Sequence, residues 1–464
     1  MLIILKFIPV NLNVGAMRNF KRLFLAALVI LSASPAVFAQ KNKKENKDAN
    51  SYGYYKDIFM DSGINLTSRR DLPVARFLGL SHDAFISAVH SPVSKLTLRD
   101  TLIQNEMICG CEEDLNGVLL YPDGEPRFRM IYMNGGKATK HGNSLTPKGR
   151  ENIRKFIANG GSYVGTCAGM FIASKGVYKE GEEFEPNESY LGIWDGTTHS
   201  SGLGESATSI KVLKNSALLK YYDFGGDLRI DSVYHNGGGY AYYGEGCIIP
   251  EGTEPLMKYI YDTVGTEVKA RQMHDQVCTW AYKKNQESGR LVITGSHPEK
   301  GITGDIVEFM ASMVCYALDG NGDVAVKGEL QPGQVREMNK KTPENDPLFT
   351  RIGDRQYHHF TVQVPKGAKQ VTVYLEGYKG EDNFDLTLAA NEGSFAFKDN
   401  AEHKNVAQGC SKKLVVNNPA KGTLYVSVFC ETTVESHFGK YGSEYKGRTD
   451  VLNGVPYKLK VLVE

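Results

Sequence analysis

The sequence predicts an α/β domain, a mostly parallel sheet with helices on both faces, followed by a small all-β sandwich. Three observations carry this prediction. Short apolar runs that read as buried strands alternate with helical segments from residue 57 to residue 318, glycine-rich turns follow those strands, and beyond residue 349 the apolar period falls to two. A chain of 464 residues also exceeds one compact core, which makes two domains the expectation.

The amino terminus reads as an export signal. From Met17, the basic residues Arg18, Lys21 and Arg22 precede the apolar run 23–31, and Val37 and Ala39 supply the small residues of a cleavage site before Gln40. A signal peptide over 1–39 is expected, with Met17 as an alternative start. The residue directly after the cleavage site is Gln40, not a cysteine, which argues against a lipid anchor. No other apolar run approaches the ~20 residues of a spanning helix, so an exported soluble protein, periplasmic or extracellular, is expected. Residues 40–51 are rich in lysine and asparagine and read as a flexible leader.

The α/β domain is assigned to 52–325. Its strands are read at 57–60, 107–111, 128–133, 162–164, 230–234 and 291–294. The turn Asp61-Ser62-Gly63 ends the first, and a short helix follows Pro73. Thr146-Pro147 opens a helix with a capping residue and a first-turn proline, Ile153, Phe156 and Ile157 form its apolar stripe, and Gly160-Gly161 ends it. The polar, glycine-rich stretch 179–219 reads as hairpins and loops over the site, and 305–318 as the closing helix. Residues 326–348 read as a linker. Strand-like runs at 360–364, 371–375, 424–428 and 457–461, with turns at Pro365-Lys366-Gly367 and Asn453-Gly454, place the sandwich at 349–464.

Charge and cysteine content narrow the function. The net charge of +1 includes four basic residues of the expected signal peptide, Lys6 among them, so the remainder is slightly acidic with both signs scattered. Nucleic acid would need a basic face and is not an expected partner. Eight cysteines in an exported chain permit disulfides, and Cys410 and Cys430 are candidates to pair with each other. Cys109 and Cys111 are too close to pair together, and Cys315 sits in an apolar helix and reads as core. No Cys-x-x-Cys pair or histidine cluster suggests zinc, and no Walker-type loop suggests ATP. No metal or cofactor is expected.

The chemistry concentrates at Gly165-Thr166-Cys167-Ala168-Gly169. A cysteine on a sharp strand-to-helix turn between glycines has the form of a nucleophile elbow. The helix behind it favours a thiolate and offers a backbone N–H to an oxyanion. A thiol nucleophile needs a base, and the base needs an orienting group. His297, at the end of a late strand, is the candidate base, and Glu299 the orienting carboxylate. The amides of Gly136 and Ala168 are candidates for the oxyanion hole, and Gly135, His235 and Asn236 for substrate contact. Tyr240, Tyr242 and Tyr243 read as a packed aromatic layer before a sugar or peptide wall.

These motifs resemble the class I glutamine amidotransferase-like superfamily. The likeness rests on Asn134-Gly135-Gly136, the run 161–169, the Asn-Gly-Gly-Gly within 234–240, and Gly295 through His297-Pro298-Glu299. It covers about residues 52–320 and is nearest to the amidotransferase-like domain at the amino terminus of some biotin–protein ligases. The C-terminal segment separately resembles a pre-peptidase C-terminal domain. The resemblance implies the flavodoxin-like amidotransferase sheet and a Cys-His-Glu triad of Cys167, His297 and Glu299. Glutamine amidotransferases carry a glutamine four residues after the nucleophile; here Phe171 stands there, so free glutamine is not the expected substrate. The expectation is an exported cysteine-dependent amidohydrolase acting on a carboxamide or peptide-type bond, with a small-molecule or peptide amide, in one version cell-wall derived, as substrate. The alternatives are a non-catalytic binding or surface protein on the same scaffold, or a cysteine peptidase.

Overall fold

The computed structural model describes residues 52–63, 72–86, 108–112, 114–244, 247, 249–260, 272–342, 344, 346–380, 383–439 and 442–464. The expected signal peptide and leader lie outside these residues. Residues 48–464 form one compact unit.

The chain runs β1 (Lys56–Asp61), α1 (Pro73–Leu78), β2 (His82–Phe85), β3 (Phe128–Met133), α2 (Ala138–Ser144), α3 (Thr146–Ala158), β4 (Ser162–Thr166) and α4 (Ala168–Ala173). There follow β5 (Gly176–Tyr178), β6 (Thr197–Ser200), β7 (Ser206–Val212), β8 (Arg229–His235), β9 (Gly239–Ala241), β10 (Glu254–Ile260), β11 (Val277–Tyr282), β12 (Leu291–Thr294) and α5 (Gly304–Leu318). A nine-stranded sheet has the order β2-β1-β3-β4-β12-β11-β10-β7-β8. Pairing is parallel from β2 through β12 and antiparallel from β12 through β8. The sheet is therefore mixed, not mostly parallel, because β10 and β11 extend it as hairpins beyond β12.

Alternate strand residues enter two apolar clusters, as the pleat requires. Ile58, Met130, Tyr132, Val164 and Val292 pack with Val74 of α1 and Phe309, Met310 and Met313 of α5. Phe59, Ile131, Tyr163 and Ile293 share the other cluster with Ile153, Phe156 and Ile157 of α3. Each such fully buried side chain contributes roughly 1.5–3 kcal/mol.

Two local expectations are corrected. Ile108 and Cys109 are helical, not part of a strand at 107–111; Asn152 Nδ2 of α3 donates to Ile108 O at 2.9 Å and holds this segment on the helix instead of in the sheet. The neighbour of β1 is β2, whose short sequence carries polar His82 and Asp83 and gives no apolar signal. Thr146 does not cap α3 through its side chain, because its Oγ1 faces Cys109 Sγ at 3.4 Å.

The C-terminal strands are β13 (Val326–Glu329), β14 (Val335–Met338), β15 (Tyr357–Val364), β16 (Gln370–Gly377), β17 (Leu386–Glu392), β18 (His403–Asn405), β19 (Lys412–Asn417), β20 (Gly422–Cys430), β21 (Val434–Phe438), β22 (Ser443–Gly447) and β23 (Tyr457–Val463). They build a five-stranded sheet, β13-β15-β20-β17-β18, a four-stranded sheet, β14-β23-β16-β19, and the hairpin β21-β22. The stretch read as a linker thus supplies a strand to each sheet, since its polar residues occupy sheet edges. Cys410 and Cys430 are buried and are not bonded to each other; their thiols donate to backbone carbonyls, Phe384 O and Thr432 O. The hairpin reaches back to the large sheet, where Ala84 N donates to Ser443 Oγ at 3.0 Å.

The register explains where a site can form. Asp61 aligns with Met133, Met133 with Gly165, and Thr166 with Thr294. Four parallel strands therefore end together, and the turns leaving them carry Ser62-Gly63, Asn134-Gly135-Gly136, Cys167 and His297. Ligands collect at the carboxyl ends of such strands.

Candidate active site at the carboxyl ends of the parallel strands

Cys167 occupies a strained turn. Its φ of 51° and ψ of −104° lie where a non-glycine residue costs about 1–3 kcal/mol. Its amide donates to Thr294 O at 3.0 Å, and its carbonyl accepts from Met170 N at 3.0 Å, so β12 and α4 fix the turn from both sides. The flanking glycines are needed for close approach. A methyl group on Gly169 would lie 2.1 Å from Met133 O, and one on Gly165 2.7 Å from Gly169 O.

His297 and Glu299 come together with it. His297 Nδ1 and Glu299 Oε1 are 2.7 Å apart, with both side chains buried. His297 N is tied to Tyr234 O at 2.9 Å. A methyl group on Gly135 would lie 2.4 Å from His297 Cε1 and 3.3 Å from Cys167 Cβ, so the imidazole and the cysteine meet above the bare Gly135 Cα. His297 Nε2 and Glu299 Oε2 are buried and have no hydrogen-bond partner among the described residues. The Cys167 thiol instead donates to Asn236 O at 3.5 Å.

Burial opposes the imidazolium of His297, but interactions with Cys167 and Glu299 outweigh it and raise its pKa to about 10. This histidine should therefore stabilise the fold in a defined pH window. Its contribution is fully present below pH 6.5, the ordinary value, and is lost as pH rises through about 10. In urea unfolding, the stability advantage of the wild type over His297→Gln is expected to shrink steadily across that interval. A difference that is flat or grows with pH would contradict the assignment.

The remaining candidates fall into place unequally. The amides of Gly136 and Ala168 donate to no group among the described residues, which leaves both available to an oxyanion. Asn236 is exposed, and its carbonyl faces the thiol. His235 is fully buried, with Nε2 2.9 Å from Ser201 Oγ and Nδ1 3.5 Å from Tyr259 OH. Burial and the neighbouring His297 lower its pKa to about 4, so it is a neutral residue behind the site and has no free surface for a substrate. Tyr240 and Tyr242 pack with His199 and Tyr178; Tyr178 and Tyr242 stack at 4.4 Å, ring on ring.

Tyr234 carries no signal in the sequence that marks it as part of the site. Its ring lies 5.4 Å from the His297 ring and carries Lys300 Nζ 3.1 Å from its centroid. A tyrosine immediately before His235-Asn236 is the only hint, and nothing in its spacing sets it apart. Phe171 lies against the same loop, its Cζ 3.1 Å from where a methyl on Gly239 would sit.

Residues 118–312 match the family model described as biotin-protein ligase, N terminal. The match spans β3, the Cys167 turn, β12 and His297, and it agrees with the amidotransferase-like resemblance read from the motifs. Among solved structures the chain is similar to a glutamine amidotransferase at 15% identity, covering 41% of this chain and 80% of that one, with a TM-score of 0.28. It is also similar to a putative GMP synthase protein from Thermoplasma acidophilum at 13% identity, covering 57% and 94%, TM-score 0.33. The pre-peptidase C-terminal domain of collagenase from Bacillus anthracis is matched at 15% identity over 30% of this chain and 99% of that one, TM-score 0.18. No curated protein matches the chain.

Proposed function

We propose that the chain is an exported cysteine-dependent amidohydrolase acting on a carboxamide or peptide-type bond. The observation that carries this reading is the placement of His297 between Glu299, at 2.7 Å, and the strained turn of Cys167. In the proposed reaction, the Cys167 proton moves to His297 Nε2 before attack, as the raised pKa of that imidazolium favours, and Sγ then attacks the carbonyl carbon. The amides of Gly136 and Ala168 bind the oxyanion. As the C–N bond breaks, His297 gives the proton to the leaving amine, and water then hydrolyses the thioester with His297 as base. Glu299 keeps Nδ1 protonated and the ring aimed at the thiol.

Phe171, in place of a side-chain amide beside the nucleophile, supports a substrate other than free glutamine. The expected signal peptide over 1–39 supports action outside the cytoplasm, where hydrolysis fits better than ATP-coupled ammonia transfer. Iodoacetamide is expected to label Cys167 faster at neutral pH than any of the other seven cysteines. His297→Ala is expected to slow that labelling about tenfold or more. Slow labelling of Cys167 that His297→Ala leaves unchanged would sink the proposal.

A further inference from the structure

We infer that the buried pair Asp61–His141 is a positioning device that sets the Gly136 amide for the reaction. The inference rests on the proposed role of Gly136 as an oxyanion donor.

Asp61 ends β1 in register with Met133 at the end of β3. Its Oδ2 lies 2.8 Å from His141 Nε2, and its Oδ1 accepts from Gly63 N at 3.0 Å. The side chains are 0% and 5% exposed. Gly63, with φ of 52°, is packed so closely on the imidazole that a methyl group would lie 2.9 Å from His141 Nδ1. His141 belongs to α2, the helix that the glycine loop feeds directly, and its own amide donates to Lys137 O at 2.9 Å.

The other end of the loop is tied to the same segment. Two carbonyls surround one end of the Asn134 side chain, which places its nitrogen 3.1 Å from Ser62 O and 3.2 Å from Gly135 O. The loop is thus held at its start by Asn134 on Ser62 and at its end by His141 on Asp61. Gly136 lies between these anchors, with φ of 153° and its amide unengaged among the described residues.

Net stability is a poor reason for such a pair. A buried polar pair adds little over apolar side chains of equal volume, whereas an oxyanion donor must be held to a fraction of an ångström. The contacts of the pair run to Gly63 and, through α2, to the end of the glycine loop, so the pair acts through the loop.

The test separates two reactions of one thiol. Alkylation by iodoacetamide needs the nucleophile and its base but develops no oxyanion; acylation by p-nitrophenyl acetate does. His141→Ala is expected to leave the alkylation rate of Cys167 within about twofold and to cut the acylation rate about tenfold or more. His141→Gln, whose amide nitrogen reaches toward Asp61, is expected to restore most of the loss. If His141→Ala does not fold, His141→Asn, polar but too short to span the gap, takes its place. Acylation that is unchanged, or that falls in step with alkylation, overturns the inference. A wild-type chain that is alkylated rapidly but never acylated overturns the proposed function, and this inference with it.

Discussion

Cys167→Ala is expected to abolish turnover of whatever amide this chain hydrolyses, a loss of about ten-thousandfold or more. The proposed bond-forming atom is Sγ, and no other thiol stands beside a histidine–carboxylate pair among the described residues. The substitution should not unfold the chain. Alanine keeps a Cβ at the same strained φ of 51°, and the thiol's 3.5 Å bond to Asn236 O is weak. Cys167→Gly is expected to be equally inactive but slightly more stable, because glycine relieves the positive φ. The measurement is a screen of wild type against both variants on carboxamides, γ-glutamyl compounds and cell-wall peptides. Mass spectrometry of the quenched wild type is expected to show an acyl adduct on Cys167. Turnover retained by Cys167→Ala would remove Cys167 as the nucleophile, whereas a wild type that binds ligand without turnover, and a Cys167→Ala variant that binds it equally, would leave a scaffold without catalysis.

The largest effect on stability is expected at Arg127, next to the strand that leads to Gly135. Its Nε and Nη2 bond Asp354 Oδ1 and Oδ2 at 2.8 and 2.7 Å, and both side chains are about 2% exposed or less. Nη1 donates to Tyr445 OH at 3.1 Å, and the guanidinium lies 4.0 Å from the centre of the Tyr55 ring. Arg127→Met leaves the Asp354 carboxylate buried, with Thr433 Oγ1 as its remaining side-chain donor among the described residues, and is expected to cost about 3–5 kcal/mol. The double variant Arg127→Met with Asp354→Leu, which removes both charges, is expected to recover most of that loss. Urea unfolding of the two variants measures it. A single variant within about 1 kcal/mol of wild type, or a double variant no better than the single, would show that the pair does not hold the sandwich against the sheet.

Much of the site is legible in the sequence because its parts are local. Gly165 and Gly169 mark the elbow by composition, since close backbone approach excludes a Cβ, and His297 and Glu299 lie two positions apart on one turn. The strands read at 128–133 and 162–164 show as apolar runs followed by glycine. Other elements give no such signal. The polar strand β2 is identified only by its partner β1, and the segment 326–338 reads as linker because one-sided burial at a sheet edge leaves few apolar residues. The hairpins β10 and β11, which turn the sheet from parallel to mixed, carry no motif.

Local sterics and side-chain periodicity suffice for the residues of the elbow, the His-Pro-Glu turn, the bare Gly135 and the alternating period of the sandwich. None of these needs a distant partner, so each can be read along the chain. Which turns share the sheet edge is a different matter, settled by the folded arrangement alone. Four strands end in register, and that alignment, not any spacing along the chain, brings Gly135, Cys167 and His297 together. It also makes His235 a buried neutral neighbour instead of a substrate contact, and sets Asp61 and His141 beneath the glycine loop. Such relations depend on backbone hydrogen-bond register between segments up to hundreds of residues apart, and no one segment encodes it alone.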